Sequence, residues 1–203
     1  MESLKRRILA EGKNLGGGIL KVDAFINHQV DPVLMQECGQ ELARRFRHAG
    51  ATKVLTAEIS GIAPALCAAL DLGIPIIYAR KQRPVTMPDQ IYLTIAPSHT
   101  KAGRVELMVS PEFLHQHDRI LIIDDFLATG ETILGLARLA QAAGATVVGV
   151  GVVIEKTFEG GRAAVQRLGV PVEALARISD MSDGKIVLED APGPPGLGLP
   201  GPT

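Results

Sequence analysis

Aromatic residues are scarce in this chain of 203 residues, which contains no tryptophan, two tyrosines and five phenylalanines. Hydrophobic residues nevertheless make up 46% of it, so a buried core must be built from Val, Ile, Leu and Ala. That composition is typical of a parallel β-sheet whose two faces are covered by helices. The length suits one domain with a substantial core.

Cysteines, excess charge and long hydrophobic runs are also lacking. Cys38 and Cys67 fall in apolar, helix-like segments and are too few for a metal cluster, so we expect both to be core residues. A net charge of −1, from 21 basic and 22 acidic residues, leaves no electrostatic footprint for nucleic acid. There is no run of about 18 apolar residues to span a membrane, and residues 1–15 have no apolar signal core. We therefore expect a cytoplasmic location and neither a nucleic-acid nor a membrane partner.

The hydrophobic pattern predicts two βαβ units, which are typical of an open parallel sheet. Their strand, helix and strand segments lie at 53–58, 63–72 and 75–79, and at 119–123, 132–143 and 147–154. A longer helix is predicted over 31–49, with Asp31 as its N-cap and Pro32 at its first position. The basic stretch 80–104 lacks periodicity, which is typical of a functional loop or a hairpin.

The strongest functional pattern is the segment 119–132, RILIIDDFLATGET. An apolar strand ends in two acids, and a short loop with glycine and threonine then opens a helix. Ligands of open parallel sheets bind at the carboxyl ends of the strands, and a helix N-terminus offers free N–H groups to an anion. The pattern therefore predicts a phosphate site in the loop formed by Ala128, Thr129, Gly130, Glu131 and Thr132.

Two acids beside a phosphate site need a different partner. Asp124 and Asp125 would repel a phosphate, so we expect them to face hydroxyl groups or a metal ion, and a sugar phosphate offers the hydroxyls. The alternative is a strand that ends in solvated acids before a threonine-capped helix. The chain has neither GxxxxGK[ST] nor GxGxxG at a strand-to-helix turn, which argues against a P-loop and a dinucleotide site.

At these residues the chain resembles the type I phosphoribosyltransferases, whose signature is an apolar run, two acids and a threonine/glycine phosphate loop. The segments 20–32, 58–64, 78–81 and 153–162 together resemble the xanthine phosphoribosyltransferases of bacterial purine salvage. The likeness covers nearly all of residues 1–189. It excludes residues 190–203, whose Pro/Gly-rich composition predicts a disordered tail.

This resemblance implies an α/β fold with a central, mostly parallel sheet flanked by helices. It implies a single phosphoribosyltransferase domain over residues 1–189, with a core at about 31–160 and a small hood built from about 1–30 and 160–189. A homodimer is implied as well, with the loop after Arg80 reaching the partner's site. A further implication is a non-proline cis peptide between Glu58 and Ile59.

The implied reaction transfers 5-phosphoribosyl from phosphoribosyl pyrophosphate to xanthine, which gives xanthosine 5′-monophosphate and pyrophosphate. Asp124 and Asp125 are the implied catalytic residues, meeting the ribose hydroxyls directly or through Mg²⁺ that arrives with phosphoribosyl pyrophosphate. The other implied contacts are the 5-phosphate loop Ala128–Thr132, the pyrophosphate loop Glu58–Gly61 with Ser60 and Gly61, and the xanthine-binding Leu20, Asn27 and Lys156. The basic side chains of Arg80 and Lys81 could also bind the departing pyrophosphate, because they can stabilise its charge.

The types of the base-binding residues agree with a 6-oxo purine. Lys156 has only donors, which match a 6-oxo group and oppose the amino group of adenine, and Asn27 could donate to the 2-oxo group of xanthine. As alternatives, Lys156 could be a solvated lysine, Asn27 a turn residue, and Arg80 and Lys81 part of a solvated basic loop.

One position departs from the related hypoxanthine-guanine enzymes. Their phosphate loop begins with a carboxylate thought to handle the N7 proton, and this chain has Ala128 there. The five histidines supply no convincing base, and we expect His115 and His117 at the surface. The departure disfavours hypoxanthine and leaves the proton acceptor unassigned.

Two other functions stay open. One is a guanine, hypoxanthine or adenine phosphoribosyltransferase. The other is a purine-responsive regulator that binds phosphoribosyl pyrophosphate without catalysis, although only about 30 residues precede the first long helix and the net charge does not favour DNA. Pyrophosphate release from xanthine and phosphoribosyl pyrophosphate would separate an enzyme from a regulator.

Overall fold

A computed structural model describes residues 1–97 and 104–189. Its α-helices are α1 Glu2–Glu11, α2 Pro32–Phe46, α3 Ile62–Leu72, α4 Glu131–Ala142 and α5 Gly161–Gln166. Its strands are β1 Lys13–Asn14, β2 Leu20–Lys21, β3 Lys53–Ala57, β4 Ile76–Ala79, β5 Tyr92–Pro97, β6 Arg104–Val109, β7 Arg119–Leu127, β8 Thr146–Lys156, β9 Val172–Asp180 and β10 Val187–Leu188. The tail predicted to be disordered, 190–203, lies outside the described residues.

The main sheet has six strands in the order β10-β9-β8-β7-β3-β4. All neighbouring pairs are parallel except β9 and β10. Both predicted βαβ units are therefore confirmed, and so is the α/β fold with a mostly parallel sheet flanked by helices. The division into a core and a hood stays a prediction, and β9 and β10 join residues 172–188 to the main sheet.

Strand β7 is longer than predicted. The apolar run stops at Ile123, but the backbone stays paired with β8 through Asp124↔Val152 and Leu127↔Glu155. The strand therefore continues through both acids, and their position is set by the sheet. A run of apolar residues could not indicate this, because strand pairing uses backbone groups that every residue carries.

The ends of the helices follow their local sequence. Asp31 is the N-cap of α2, and its carboxylate accepts hydrogen bonds from the N–H groups of Val33 and Leu34. Gly73 ends α3 with a positive φ of 69°, which glycine adopts without steric cost. The predicted N-cap is confirmed, while α2 stops at Phe46, short of the predicted end at residue 49.

Two hydrophobic clusters cover the two faces of the main sheet. Buried residues of α1, α2 and α3 pack on one face, whereas those of α4, α5 and the antiparallel β5–β6 pair pack on the other. Part of the basic stretch 80–104 is thus a hairpin strand. Cys38 is a buried core residue as predicted, and the half-buried Cys67 packs against the same cluster. No helix within the described ranges is long and apolar enough to span a membrane.

The contact between α2 and α3 depends on a glycine, which leads to a stability prediction. A Cβ at Gly39 would lie 2.6 Å from the backbone nitrogen of Ala68, a clash that no rotation of a side chain relieves. An alanine normally stabilises a helix by about 1 kcal/mol relative to glycine. For Gly39→Ala we instead expect a loss of about 1–3 kcal/mol from overpacking, measured by urea unfolding. The exposed Gln40→Ala on the same helix should change stability by less than about 0.5 kcal/mol. Wild-type stability of Gly39→Ala would contradict the close helix contact.

Candidate active site

A cavity of about 340 Å³ opens at the carboxyl ends of β7 and β8. It brings together residues that are far apart in the sequence and that the sequence indicated as site residues. These lining residues are Leu20, Asn27, Ser60, Asp124, Asp125, Ala128, Thr129, Gly130, Glu131, Thr132 and Lys156. Five further lining residues, which the sequence patterns did not place at a ligand, are Ile19, Asp23, Pro97, Phe126 and Ile133.

The floor of the cavity is the loop that connects β7 to α4. Gly130 has a φ of 85° and is the N-cap of α4, a position where it offers no side chain to cap the helix. The first N–H groups of α4 are therefore directed towards the loop and its cavity, as in an anion site. The loop is also held by the start of α5, since the N–H of Gly161 donates to the carbonyl of Ala128 at 3.0 Å.

The two acids of β7 have different surroundings. The side chain of Asp124 is buried, and its Oδ1 accepts a hydrogen bond from the N–H of Asp125 at 3.0 Å. Burial, with the neighbouring charge of Asp125 as a second cause, raises the pKa of Asp124 well above its ordinary value. Asp125 is half-buried and accepts a hydrogen bond from Nδ2 of Asn27 at 2.9 Å. Asn27, predicted to read the base, is therefore also a partner of an acid.

Lys156 is not a solvated lysine. Its side chain is 6% exposed, and Nζ donates to the carbonyl of Gly18 at 2.6 Å and pairs with Glu159 at 3.2 Å. Nζ also lies 5.6 Å from the centre of the Phe126 ring. These contacts hold the ammonium group at the cavity wall and attach the loop after β1 to the site.

The loop after β3 lies beside the buried acid. A Cβ at Gly61 would lie 2.5 Å from Oδ1 of Asp124, so only glycine allows this approach. The peptide between Glu58 and Ile59 is cis, as predicted. Ser60 lines the cavity, whereas Gly61 lies next to it.

Arg80 and Lys81 do not line this cavity. Arg80 forms an ion pair with Glu58, with 2.7 Å between Nε and Oε2, and the N–H of Lys81 donates to Glu58 at 2.6 Å. The side chain of Lys81 is exposed, and its charge still acts on Asp124, whose pKa it lowers slightly against the larger effect of burial. Arg80 lines a second cavity, of about 500 Å³, beside the edge strand β4.

His115 and His117 are exposed, as predicted. Besides the five further lining residues, sequence reasoning missed Gly161, which lies against the loop at the floor of the cavity. The pair Gly160-Gly161 was the available signal, because two successive glycines at the start of a helix indicate a close approach of backbones.

Comparison with known proteins shows which family this chain resembles. Residues 60–185 match the family model of the phosphoribosyl transferase domain. The chain is 50% identical to the xanthine phosphoribosyltransferase of Bacillus cytotoxicus over 186 residues, which cover 92% of this chain and 94% of that relative. It is 49% identical, with the same coverage, to the xanthine phosphoribosyltransferase of Bacillus cereus strain G9842.

The solved structures that resemble this chain include adenine phosphoribosyltransferases. The enzyme from Rhodothermus marinus has a TM-score of 0.69 at 27% identity, and the match covers 87% of this chain and 97% of that one. The enzyme from Trypanosoma brucei has a TM-score of 0.71 at 19% identity, and covers 96% and 89%. The second likeness shows the fold alone.

The burial of Asp124 predicts a pH-dependent cost to stability. A carboxyl whose pKa is raised by folding opposes the folded state once the unfolded chain ionises, above the ordinary pKa of 3.8, and the cost grows as the pH rises towards the folded pKa. Asp124→Asn should remove this cost. We therefore expect a gain in the free energy of unfolding at neutral pH that disappears near pH 3.8.

Denaturant unfolding across this pH range measures the effect. The exposed Asp89→Asn is the matched control and should show no comparable gain. A loss of stability in Asp124→Asn at neutral pH would mean that the ionised carboxylate is stabilised in the folded protein.

Proposed function

This chain belongs to the phosphoribosyl transferase domain family, and from this we propose that it is a xanthine phosphoribosyltransferase of purine salvage. It transfers 5-phosphoribosyl from phosphoribosyl pyrophosphate to xanthine, and the products are xanthosine 5′-monophosphate and pyrophosphate. The observation that carries the proposal is that one cavity contains the phosphate loop, the paired acids and the buried Lys156. The identity of 50% to a xanthine phosphoribosyltransferase supports xanthine as the base.

We assign the 5-phosphate to the loop Ala128–Thr132 at the start of α4. The helix N–H groups and the hydroxyls of Thr129 and Thr132 supply donors, and the positive φ of Gly130 turns the backbone towards the cavity. The anchored phosphate fixes the ribose over the acids, which converts the transfer into a reaction between groups already held in line.

Asp124 and Asp125 act on the ribose in this proposal. Their carboxylates face the hydroxyls of a ring that becomes positively charged as pyrophosphate leaves, so both hydrogen bonding and charge favour the transition state. Asn27 holds the carboxylate of Asp125 through its Nδ2 group. Because an amide nitrogen has two hydrogens, the second remains available to the 2-oxo group of xanthine.

The departing pyrophosphate is assigned to Ser60 and Gly61, whose backbone N–H groups can donate hydrogen bonds to it. Arg80 and Lys81 lie beside them in the chain fold. The exposed ammonium of Lys81 is free to move towards an anion, while Glu58 holds its backbone. The guanidinium of Arg80 is already paired with Glu58. We therefore expect Arg80 to act on the pyrophosphate indirectly, by holding the carboxylate of Glu58 in place.

Mg²⁺ fits the acids, since neighbouring carboxylates supply the hard oxygen ligands that this ion prefers. Among the described residues, no group of three or more His, Cys, Asp or Glu could hold a metal ion. Asp124 and Asp125 would therefore share the ion with oxygens of phosphoribosyl pyrophosphate. When bound, it would offset charge on the leaving pyrophosphate.

The xanthine base is assigned to the wall formed by Leu20, Asn27 and Lys156. Lys156 donates to the 6-oxo group, and the half-buried Phe126 lies under its ammonium. Adenine would place an amino group against this donor, so the contact separates oxo from amino purines. A cytoplasmic location belongs to the proposal because the multiply charged substrate and product do not cross membranes.

Pyrophosphate release from phosphoribosyl pyrophosphate and a panel of bases tests the function. We expect xanthine first, guanine and hypoxanthine behind, and adenine negligible. Asp124→Asn and Asp125→Asn should each reduce kcat strongly while the protein stays folded. Absence of turnover with every base, in a protein that still binds phosphoribosyl pyrophosphate, would favour a non-catalytic regulator.

The assignment of Lys156 predicts a loss shared by all 6-oxo purines. Removing one partner of a buried polar contact costs about 1–3 kcal/mol, so Lys156→Met should lower kcat/KM for xanthine, guanine and hypoxanthine by roughly one to two powers of ten. Asn27→Ala should flatten the preference for xanthine over hypoxanthine and also reduce kcat, since Asp125 loses its partner. Lys21→Met, at an exposed lysine nearby, is the control and should retain activity. Unchanged kcat/KM for the 6-oxo purines in Lys156→Met would refute the contact of Lys156, and an unchanged ratio of xanthine to hypoxanthine in Asn27→Ala would refute that of Asn27.

We also propose a homodimer in which the loop after Arg80 reaches the partner's site. Its support is the edge strand β4, beside which the second cavity exposes the apolar side chains of Tyr78 and Phe113. We expect twice the chain mass by sedimentation and a weaker dimer in Phe113→Asp. A fully active wild-type monomer would refute the shared site.

A further inference from the structure

The carboxylate of Glu155 is almost completely buried on the face of the sheet opposite to Lys156. Its side chain is 1% exposed, and it precedes Lys156 on β8, where successive side chains point to opposite faces. A buried carboxylate is costly unless it is paired and hydrogen-bonded. The partners of Glu155 therefore show which other elements are attached to this end of β8.

Arg162 is the main partner. Its Nε and Nη2 donate to the two oxygens of Glu155 at 2.7 and 2.6 Å, which is a bidentate pair, and Nη1 donates to the carbonyl of Val172 at 2.9 Å. The guanidinium thus ties the first turn of α5 to β8 and to the start of β9. Such planar, two-bond recognition fixes orientation as well as charge.

The residue before Arg162 lies against the phosphate loop. Gly161 donates its N–H to the carbonyl of Ala128, and a Cβ on Gly161 would lie 2.8 Å from the backbone nitrogen of Gly130. Val165, one turn further along α5, would lie 3.0 Å from a Cβ on Gly130. The loop that starts α4 is therefore packed closely against α5, by the backbone of Gly161 and the side chain of Val165.

Resting on the proposed function, we infer that Arg162 is a positioning residue for the 5-phosphate site. Through Glu155 it holds α5 in the place where Gly161 sets the conformation of the loop Ala128–Thr132. Arg162 does not line the cavity, so its loss acts on the ribose phosphate only through the loop and leaves the proposed base contact of Lys156 in place.

The test measures the binding of ribose 5-phosphate by calorimetry. It also measures the KM values for phosphoribosyl pyrophosphate and xanthine. Arg162→Met should weaken binding of ribose 5-phosphate and raise the KM for phosphoribosyl pyrophosphate, each about tenfold, which corresponds to about 1.4 kcal/mol. The KM for xanthine should change less than about twofold. Arg162→Lys keeps the charge without the bidentate geometry and should give an intermediate loss.

Arg177→Met is the matched control. Arg177 also donates to Glu155, at 3.2 Å, but it lies on β9 and its other ion pair is with Glu189. We expect the Arg177→Met variant to bind ribose 5-phosphate nearly as tightly as the wild type. If Arg177→Met were as impaired as Arg162→Met, the effect would come from exposing Glu155 in general, and the inference would be overturned.

Unchanged binding in Arg162→Met would equally overturn it. If that variant does not fold, Arg162→Lys decides by the same measurements, and wild-type behaviour in it refutes the inference. Because the binding assay needs no turnover, a failure of the proposed function is seen separately, as a wild-type protein that binds ribose 5-phosphate and does not consume xanthine.

Discussion

Strands β7 and β8 stay hydrogen-bonded to each other from Arg119↔Thr146 to Leu127↔Glu155, past the point where their apolar residues give way to charged ones. This pairing brings Asp124 and Asp125 to the same side of the sheet as Lys156, where the strands have their carboxyl ends. It also fixes where the loop into α4 begins, and hence where the helix N–H groups point. The cavity, the acids and the phosphate loop all depend on the backbone ladder between these two strands.

Continuing the strands into charged residues requires a partner for each buried charge. Glu155 is paired with Arg162 and Arg177, and Lys156 with Gly18 and Glu159. Asp124 is held instead beside another acid, with the N–H of Asp125 as its donor, and its pKa is raised. Two of these charges contribute to the architecture around the site. The third is kept in an unfavourable setting, which is typical of groups that act on a substrate.

The chain shares its fold with adenine phosphoribosyltransferases and much more of its sequence with xanthine phosphoribosyltransferases. One scaffold therefore serves different bases, as expected when function depends on a few side chains placed on a common fold. In the proposed function, the loop Ala128–Thr132 and the two acids bind the ribose phosphate, which these reactions have in common. The base is assigned to the wall at Lys156 and Asn27, to which the N-terminal segment contributes.

The sequence alone determined the two βαβ units, the cap at Asp31 and the glycine-containing loop that opens α4, because each depends on neighbouring residues: hydrophobic periodicity, a capping side chain and glycine at a turn. The likeness to a known family pointed to the other site residues, and many of them line one cavity. Local patterns could not show that Lys156 is buried, that Asn27 pairs with Asp125, or that Ala128 is the residue whose carbonyl accepts from the N–H of Gly161. Those contacts join residues far apart in the chain, and only packing of the tertiary structure decides which distant groups meet.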